Sequence, residues 1–267
     1  MLNPDAIQRA AAALNGAEQG RAPIRALSLS HPDMTIPDAY AIQRAWIDLK
    51  LKAGRTIIGH KIGLTSKAMQ NAVGINEPDF GALLDDMLYA DGARIPTARF
   101  IEPRVEVELA FVLKERLTGP ACTVFDVMRA TEYVVPALEI LDARMHRIDP
   151  ETKAVRKVTD TISDNAANAA LVLGNRTIRP HDIDLRWVSA LLFRNAEVEE
   201  TGVAAGVLNN PANGIAWLVS RLHPHGVALE PGQIILSGSF TRPVDARAGD
   251  TFHADYGPFG SVGCHFS

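Results

Sequence analysis

The sequence is poor in cysteine and has no long apolar run. Cys122 and Cys264 are its only cysteines, too few and too far apart for a disulfide framework or a cysteine-rich metal site. We therefore expect two reduced thiols in a cytosolic protein. No stretch approaches the ~20 apolar residues that a membrane-spanning helix needs, and the N-terminus lacks the apolar segment of a secretory signal. These absences predict a soluble, cytoplasmic protein that does not bind membranes.

Blocks of one charge are also missing. The 27 basic and 31 acidic residues are interspersed and give a net charge of -4. Neither a basic patch for nucleic acid nor an acidic interaction arm is present in this pattern. Apolar residues make up 47% of the 267 positions, which is enough for a sizeable core. The length fits one large domain, or one domain with a small appendage.

The N-terminal part of the chain is predicted to be helical. Residues 4–14 are rich in alanine, and a second helix begins near Thr35, where a capping-box variant stands. Gly54 ends this helix as a C-terminal glycine does. Short strands with glycine and proline between them follow. We therefore predict a helical subdomain of residues 1–54 and a catalytic core of residues 55–267.

The core is predicted to be rich in strands. Strands are expected at residues 56–62, 104–113, 133–141, 169–173, 188–194, 197–201, 233–237 and 251–256. Helices are expected at residues 66–73, 123–130 and 211–222. Most of the strands are too close together for parallel crossovers, which favours an α+β fold with a mixed or antiparallel sheet.

The segment 104–113 is the most informative part of the chain. Side chains alternate between the two faces of a strand. The odd-numbered positions therefore form an apolar face, and Arg104, Glu106, Glu108 and Ala110 share the other. The backbone positions of Glu106 and Glu108 lie roughly 6.5–7 Å apart along a strand, so the two carboxylates can converge on one cation. The alternative is a strand whose polar face is exposed to water.

Glu139 lies in an otherwise apolar run, residues 133–141. Because ionised carboxylates are almost never buried without a partner, a positive charge or a metal would explain it. The alternative is an edge-strand glutamate that faces water, which Pro136 favours. Glu106, Glu108 and Glu139 have no histidine or cysteine nearby. They predict an oxygen-only site that suits Mg²⁺ or Mn²⁺ and disfavours Zn²⁺.

The glycine-rich segment 59–66 runs from a predicted strand into a predicted helix. Glycine allows close backbone approach, and a helix N-terminus attracts anions. Lys61 is therefore a candidate to bind a carboxylate-bearing substrate, with an ordinary surface lysine as the alternative. Asp79 lies in a predicted turn, residues 77–81, where it is either a turn-forming residue or an acid/base on a loop.

Residues 143–165 are predicted to form a long, irregular loop. Such a loop is often an active-site lid, and the alternative is a plain surface excursion. It contains the polar residues Arg144, His146, Arg156, Lys157, Asp160, Ser163, Asp164 and Asn165.

Several segments together resemble a known family. The chain is similar to the 2-oxo-hept-4-ene-1,7-dioate hydratases of homoprotocatechuate breakdown, which belong to the hydratase/decarboxylase family with the fumarylacetoacetate-hydrolase-like fold. The similarity runs over essentially the whole chain. The segments that carry it are residues 59–69, 77–86, 104–111, 159–168, 199–208 and 237–243.

The resemblance implies a mixed β-sheet or β-roll core with an N-terminal helical cap. It implies that Glu106, Glu108 and Glu139 hold Mg²⁺, with Mn²⁺ as a possible substitute, and that Lys61 and Asp79 are catalytic. It also implies a homo-oligomeric hydro-lyase of aromatic catabolism whose partner is a small-molecule 2-oxo-enoate dicarboxylate.

The distal carboxylate of such a substrate needs a cation of its own, because the metal is already occupied. Arg144 and Arg242 are the candidates, since a guanidinium grips a carboxylate through two hydrogen bonds. Both being ordinary structural or surface arginines is the alternative. Ser163 is a further substrate-binding candidate.

Other activities stay open at this point. A 2-oxopent-4-enoate hydratase and a 4-oxalocrotonate decarboxylase are the alternatives among enzymes. A non-catalytic accessory subunit of a hydratase/decarboxylase complex is the alternative of another class. The complete set of Lys61, Asp79 and three carboxylates argues against the accessory subunit.

Overall fold

The computed structural model describes residues 1–267, apart from the side chains of residues 72 and 73. Its helices are α1 (Pro4–Gly20), α2 (Leu27–Ser30), α3 (Ile36–Lys52), α4 (Lys67–Val73), α5 (Val124–Ala130), α6 (Val158–Ser163) and α7 (Pro211–Leu222). Its first strands are β1 (Ile57–Gly63), β2 (Asp79–Leu84), β3 (Leu88–Ala90), β4 (Ala93–Ile95), β5 (Arg104–Leu113), β6 (Thr131–Leu141) and β7 (Asn168–Leu173). The remaining strands are β8 (Ser189–Arg194), β9 (Glu197–Val203), β10 (Ile234–Leu236), β11 (Val244–Asp245), β12 (Thr251–Asp255) and β13 (Ser261–Phe266).

The strands form two sheets. One sheet has the order β2-β1-β10-β5-β6-β7-β3, with β11 also paired to β5, and the other has the order β4-β13-β12-β8-β9. Parallel pairs such as β1 with β10 stand beside antiparallel pairs such as β5 with β6. The predicted α+β fold with a mixed sheet is therefore confirmed.

The largest apolar core contains residues from both sheets. Strand β5 contributes its five odd-numbered side chains to this core, where Phe252 and Phe266 of the second sheet are also buried. Ala110, on the other face of β5, belongs to a separate cluster that includes Ile47 of α3. The predicted alternation along β5 is confirmed, and it leaves Glu106 and Glu108 on the face away from the main core.

The N-terminal helices have the predicted caps. The Asn3 side chain accepts a hydrogen bond from Ala6 N at 2.8 Å, and Thr35 forms a capping box with Asp38. Helix α1 is longer than the predicted 4–14, because its buried stripe continues to Ala17. None of the helices in the described part of the chain has the length and apolar character that crossing a bilayer requires.

The helical segment is tied to the rest of the chain. Met145 is buried among apolar residues of α1 and α3, and Gln43 Nε2 donates to Phe80 O and Ile162 O, each at 2.9 Å. The proposed boundary between residues 54 and 55 stays a prediction.

Two predicted irregular segments are wrong. Asp79 does not lie in a turn, because β2 begins at this residue and pairs with β1 through His60 and Ala82. The predicted loop 143–165 contains a hairpin joined by a bridge from Ile148 to Val155, followed by helix α6.

The reason for the second error is that α6 has no long apolar stripe. Tertiary contacts hold it instead. Asp160 accepts from Lys157 N at 2.7 Å, and from Ser28 N and Ser28 Oγ at 2.8 and 2.6 Å. The strand β13 is a further strand that the sequence analysis does not predict, although Val262, Cys264 and Phe266 alternate as its buried face.

Gly59 gives a direct test of the strand packing. A Cβ at this position would collide with the backbone carbonyl of Ile234 in the neighbouring strand. Overpacking typically costs about 1–3 kcal/mol, so Gly59→Ala should lower the free energy of unfolding by at least that amount. The measurement is urea denaturation.

Gly16 is the matched control for this substitution. It lies exposed within α1, and a Cβ there would meet nothing within 4 Å. Gly16→Ala should stabilise the protein by up to about 1 kcal/mol, because alanine favours a helix. Equal effects of the two substitutions would contradict the described packing of β1 against β10.

Candidate active site

Three glutamates converge on the face of the sheet opposite the main core. Glu106 and Glu139 are direct partners across β5 and β6, and Glu108 follows on the same face of β5. One carboxylate oxygen from each of the three lies within 4.8 Å of the others. Glu108 is 1% exposed and Glu139 is 0% exposed. The alternative of a wet strand face is therefore wrong.

The edge-strand alternative for Glu139 is also wrong. Strand β6 lies between β5 and β7 and pairs with both. Pro136 lies just outside the ladder between β6 and β7, which begins at Ala137, so its missing N–H removes no bond of that ladder. Next to it, the Tyr256 hydroxyl lies 2.7 Å from Glu108 O and 2.8 Å from Ala137 O.

The carboxylates are held by neighbours but not fully satisfied. Gly238 N donates to Glu108 Oε2 at 2.8 Å, and Asn168 Nδ2 donates to Glu139 Oε1 at 2.8 Å. Glu139 Oε2 is buried and has no hydrogen-bond partner among the described residues. A buried, unpaired carboxylate oxygen is costly, and a cation bound between the three glutamates would satisfy it.

The electrostatics also favour a cation. Burial and the charge of Glu139 raise the pKa of Glu106 to about 8, and the same causes raise the pKa of Glu108 well above its usual value. Each carboxylate thus penalises ionisation of the next. Oxygen-only donors match the preference of Mg²⁺ and Mn²⁺. The three glutamates therefore fit a divalent cation.

Lys61 on β1 is buried beside this cluster, and the surface-lysine alternative is wrong. Its side chain is 4% exposed, and Nζ lies 3.2 Å from Glu139 Oε1. Burial alone would lower the pKa of Lys61, but Glu139, Asp79 and the other two carboxylates raise it above its usual value. Lys61 is therefore a fixed ammonium at the edge of the acidic cluster.

An unusual backbone segment faces Lys61. Asn165, Ala166 and Ala167 all have left-handed conformations, with φ of 53°, 51° and 60°. Such conformations cost energy for non-glycine residues and are often found at functional sites. The Asn165 side chain anchors the segment, since it accepts from Ala82 N at 2.8 Å and donates to Ala82 O at 2.9 Å. The strained turn presents Ala166 O to Lys61 Nζ at 3.0 Å.

Asp79 is buried next to Lys61, on the first residue of β2. A Cβ at Gly63 would collide with Asp79 Oδ1 and would lie 3.1 Å from Lys61 Nζ, so the absence of a side chain at Gly63 lets the two groups share this space. Burial raises the pKa of Asp79, and Lys61 lowers it. Asp79 Oδ1 has no hydrogen-bond partner among the described residues. The group is thus available to exchange a proton with a bound molecule.

Arg144 has two of its three side-chain nitrogens, Nε and Nη2, engaged by the protein. Its Nε lies 2.5 Å from Asp164 Oδ1, and its Nη2 donates to Asp164 O at 2.7 Å and to Asn168 O at 3.0 Å. Its guanidinium carbon also lies 5.1 Å from the centre of the Trp46 ring. Arg144 therefore supports Asn168, which in turn holds Glu139. Its substrate-binding role stays a prediction.

The other two predicted substrate ligands do not contact the acidic cluster in the described hydrogen bonds. Arg242 is 83% exposed and lies 2.7 Å from Glu200 Oε1. Ser163 Oγ donates to Thr159 O within α6 at 2.8 Å. Their substrate-binding roles also stay predictions.

The sequence patterns did not point to some of the supporting groups. Asn168 could have been noticed as an amide at the start of an apolar strand, where a buried amide needs a partner. Gly238 N and the Tyr256 hydroxyl carry no recognisable pattern, because long-range folding brings them to β5.

Comparison with known proteins places this site in context. Residues 57–267 match the family described as Fumarylacetoacetate (FAA) hydrolase C-terminal. The chain is 66% identical over 253 residues to the 2-oxo-hept-4-ene-1,7-dioate hydratase of Escherichia coli, covering 95% of both chains. It is 39% identical over 265 residues to the 2-keto-4-pentenoate hydratase of Paraburkholderia xenovorans (strain LB400), covering 99% of this chain and 96% of the relative.

A solved structure is similar over the whole chain. The 4-oxalocrotonate decarboxylase from Pseudomonas putida G7, complexed with magnesium and adipate, superposes with a TM-score of 0.94 at 31% identity. The match covers 100% of this chain and 99% of the decarboxylase.

If the acidic cluster binds a divalent cation, that cation should stabilise the folded protein. Mg²⁺ or Mn²⁺ at about a hundredfold excess over its Kd should raise the Tm by roughly 5 °C or more, and EDTA should reverse the shift. Glu106→Gln and Glu139→Gln should each remove it, as measured by thermal denaturation. Glu132→Gln, an exposed position on the same strand as Glu139, is the control and should keep the shift. A full shift in either site variant would contradict the metal site.

The buried arginine predicts a difference in stability. Arg144→Met leaves Asp164 short of its main partner, and breaking a buried ion pair typically costs about 3–5 kcal/mol. Arg242→Met should change the free energy of unfolding by less than about 0.5 kcal/mol, because its ion pair is exposed. Urea denaturation of both variants tests this, and an Arg144→Met protein as stable as the wild type would refute the structural role.

Proposed function

The chain belongs to the fumarylacetoacetate hydrolase C-terminal family, and from this premise we propose that it is a metal-dependent hydro-lyase. The substrate is 2-oxo-hept-4-ene-1,7-dioate, and the product of hydration is 4-hydroxy-2-oxo-heptanedioate. The hydratase that is 66% identical over 95% of the chain supports this substrate.

One observation carries the proposal. Three carboxylate oxygens within 4.8 Å of one another lie next to a buried lysine and a buried aspartate. This arrangement supplies a cation site, a fixed positive charge and a proton-exchanging group on one face of the sheet. Those are the parts needed to stabilise and protonate an enolate formed from a 2-oxo acid.

We propose Mg²⁺ as the ion held by Glu106, Glu108 and Glu139, with Mn²⁺ able to replace it. When bound, the ion supplies Lewis acidity towards the 2-oxo group of the substrate. The oxygen-only donors support this choice, and so does the similar decarboxylase, which was solved with magnesium.

The protein residues then have separate tasks. Lys61 holds the negative charge of the 1-carboxylate and 2-oxygen end, because its ammonium is fixed by Glu139 and Ala166 O. Asp79 removes a proton from C3 of the substrate. Its raised pKa suits this role, since a carboxylate of higher pKa is a stronger base and can return the proton.

The proposed hydration conserves every proton. Asp79 takes one proton from C3, the double bond moves to C3=C4, and the same proton is delivered to C5. The C3=C4 bond is now conjugated with the ketone, so water adds its oxygen at C4 and a proton at C3. The net change is addition of one water molecule, with no oxidant or reductant consumed.

We further propose that the enzyme is a cytoplasmic homo-oligomer in aromatic catabolism. Both cysteines are free thiols, which agrees with a reducing compartment. Trp187 is 72% exposed and Phe125 is 84% exposed, and contact with a second copy of the chain would cover such side chains.

A second candidate is decarboxylation of a related 2-oxo diacid. The TM-score of 0.94 to a 4-oxalocrotonate decarboxylase favours it. The higher identity to the hydratase, 66% against 31%, favours hydration. Measuring absorbance loss of the dienoate together with CO₂ release separates the two, because hydration releases no CO₂.

Substitutions at the two proposed catalytic residues test the assignment. Lys61→Met should lower kcat by about 100-fold or more in the hydration assay, comparable to loss of an oxyanion donor. Lys52→Met, at an exposed lysine, is the control. A loss under about threefold would return Lys61 to a structural role.

Asp79→Asn should abolish both hydration and the exchange of C3 protons for deuterium in a saturated 2-oxo diacid, followed by NMR. Asp33→Asn, at an exposed aspartate, should leave both unchanged. If Asp79→Asn keeps normal C3 exchange, Asp79 is not the base.

A further inference from the structure

Arg156 lies on the hairpin that precedes α6. Its backbone N donates to Arg147 O at 3.1 Å, next to the bridge between Ile148 and Val155. Its side chain is only 14% exposed. A long cationic side chain is rarely buried to this extent without a partner that justifies it.

The guanidinium of Arg156 has a spare donor. Its Nη1 is buried and has no hydrogen-bond partner among the described residues. The nearest acid is Asp164, whose Oδ2 lies 3.7 Å from Nη1, beyond hydrogen-bond distance. Asp164 is already held by Arg144, which approaches Oδ1 with Nε at 2.5 Å and Oδ2 with its backbone N at 3.0 Å. Two arginines thus share one carboxylate.

The other acids around Arg156 are also engaged. Asp160 accepts three hydrogen bonds from Ser28 and Lys157. The neighbouring cations have their own partners, since Arg104 lies 2.6 Å from Asp245 Oδ1 and Arg147 lies 2.6 Å from Glu102 Oε2.

The charge of Arg156 is only partly compensated by the protein. Burial and the charges of Arg144 and Arg104 lower the pKa of Arg156, while Asp164 and Asp160 raise it. The net effect is a pKa of Arg156 below its usual value, which indicates that the nearby acids do not fully compensate for the burial of this charge.

Arg156 also lies near the candidate active site. Its Nη1 lies 3.7 Å from Asp164 Oδ2, and the charge of Arg156 acts weakly against burial, which raises the pKa of Asp79. Its partner Asp164 directly precedes the strained turn that presents Ala166 O to Lys61. Arg104, whose charge acts on Arg156, lies on the same face of β5 as Glu106.

We propose that Arg156 binds the distal carboxylate of the seven-carbon substrate and thereby sets the preference for a dicarboxylate. This assignment rests on the proposed function. It differs from the two sequence-based candidates, since Arg144 has Nε and Nη2 engaged by Asp164, and Arg242 is exposed and paired with Glu200.

A seven-carbon diacid needs a cationic group of the protein at its far end. The distal carboxylate lies about five carbon–carbon bonds from the 2-oxo carbon, so it cannot reach the cation that binds the other end. Without a cation it would be desolvated and unpaired. The free Nη1 of Arg156 offers a charge-assisted hydrogen bond to it. A five-carbon substrate that ends at C5 carries no such charge and gains nothing from Arg156.

The test compares two substrates in one variant. Arg156→Gln should lower kcat/KM for 2-oxo-hept-4-ene-1,7-dioate by about 10- to 100-fold, mainly through KM, as expected for loss of a hydrogen bond to a charged group. The value for 2-oxopent-4-enoate should change less than threefold. Arg156→Lys should recover part of the loss, because it keeps the charge without the fork. Arg116→Gln, at an exposed arginine paired with Glu230, is the matched control and should affect neither substrate.

Equal losses on both substrates would overturn the proposal, because they would indicate that Arg156 positions the active site. No loss on either substrate would overturn it as well. Thermal denaturation of each variant separates these results from unfolding.

A binding assay tests the role of Arg156 independently of whether the protein hydrates the substrate. In the presence of Mg²⁺, the wild type should bind the saturated 2-oxo-heptanedioate more tightly than 2-oxopentanoate, as measured by calorimetry. Arg156→Gln should remove that difference. If the wild type hydrates neither substrate, the proposed function fails. The calorimetric difference then still decides whether Arg156 binds a distal carboxylate, and its persistence in Arg156→Gln would overturn that assignment.

Discussion

The mutual repulsion of three neighbouring carboxylates, two of them buried and one partly buried, is the constraint on which the rest of the site depends. Glu106, Glu108 and Glu139 are brought together by the register of β5 and β6, and each raises the cost of ionising the next. Lys61 offsets only part of this charge. A divalent cation between the carboxylates would offset the remaining charge, so an arrangement that is unfavourable without metal is suited to binding one.

The surrounding structure holds these groups at fixed positions. The left-handed turn at 165–167 presents a carbonyl to Lys61, and Asn168, supported by Arg144, orients Glu139. Residues beside the acidic cluster thus hold Lys61 and Glu139 in place. The segment 156–168 connects Arg156 to this turn, so the proposed binding of the distal carboxylate would be coupled through the backbone to the group that faces Lys61.

Much of the fold and of the acidic cluster could be predicted from local sequence patterns. The alternation along 104–113 gave the apolar face and the acidic face, and Glu139 was suspect because it interrupts an apolar run. Asp79 was misplaced in a turn because its strand is defined by pairing with β1, and α6 was missed because Asp160 and Ser28 stabilise it from a distance. Arg156 was one polar residue among many in its segment. Its spare donor becomes visible only when Asp164 is seen to be held by Arg144.

The central claim is that Glu106, Glu108 and Glu139 hold one divalent cation. Anomalous diffraction from crystals grown with Mn²⁺ tests it most directly, since the metal is located independently of any activity. We expect a single strong anomalous peak, coordinated by one oxygen from each of the three glutamates. A peak at another position, or none at this cluster while Mn²⁺ supports turnover, would contradict it.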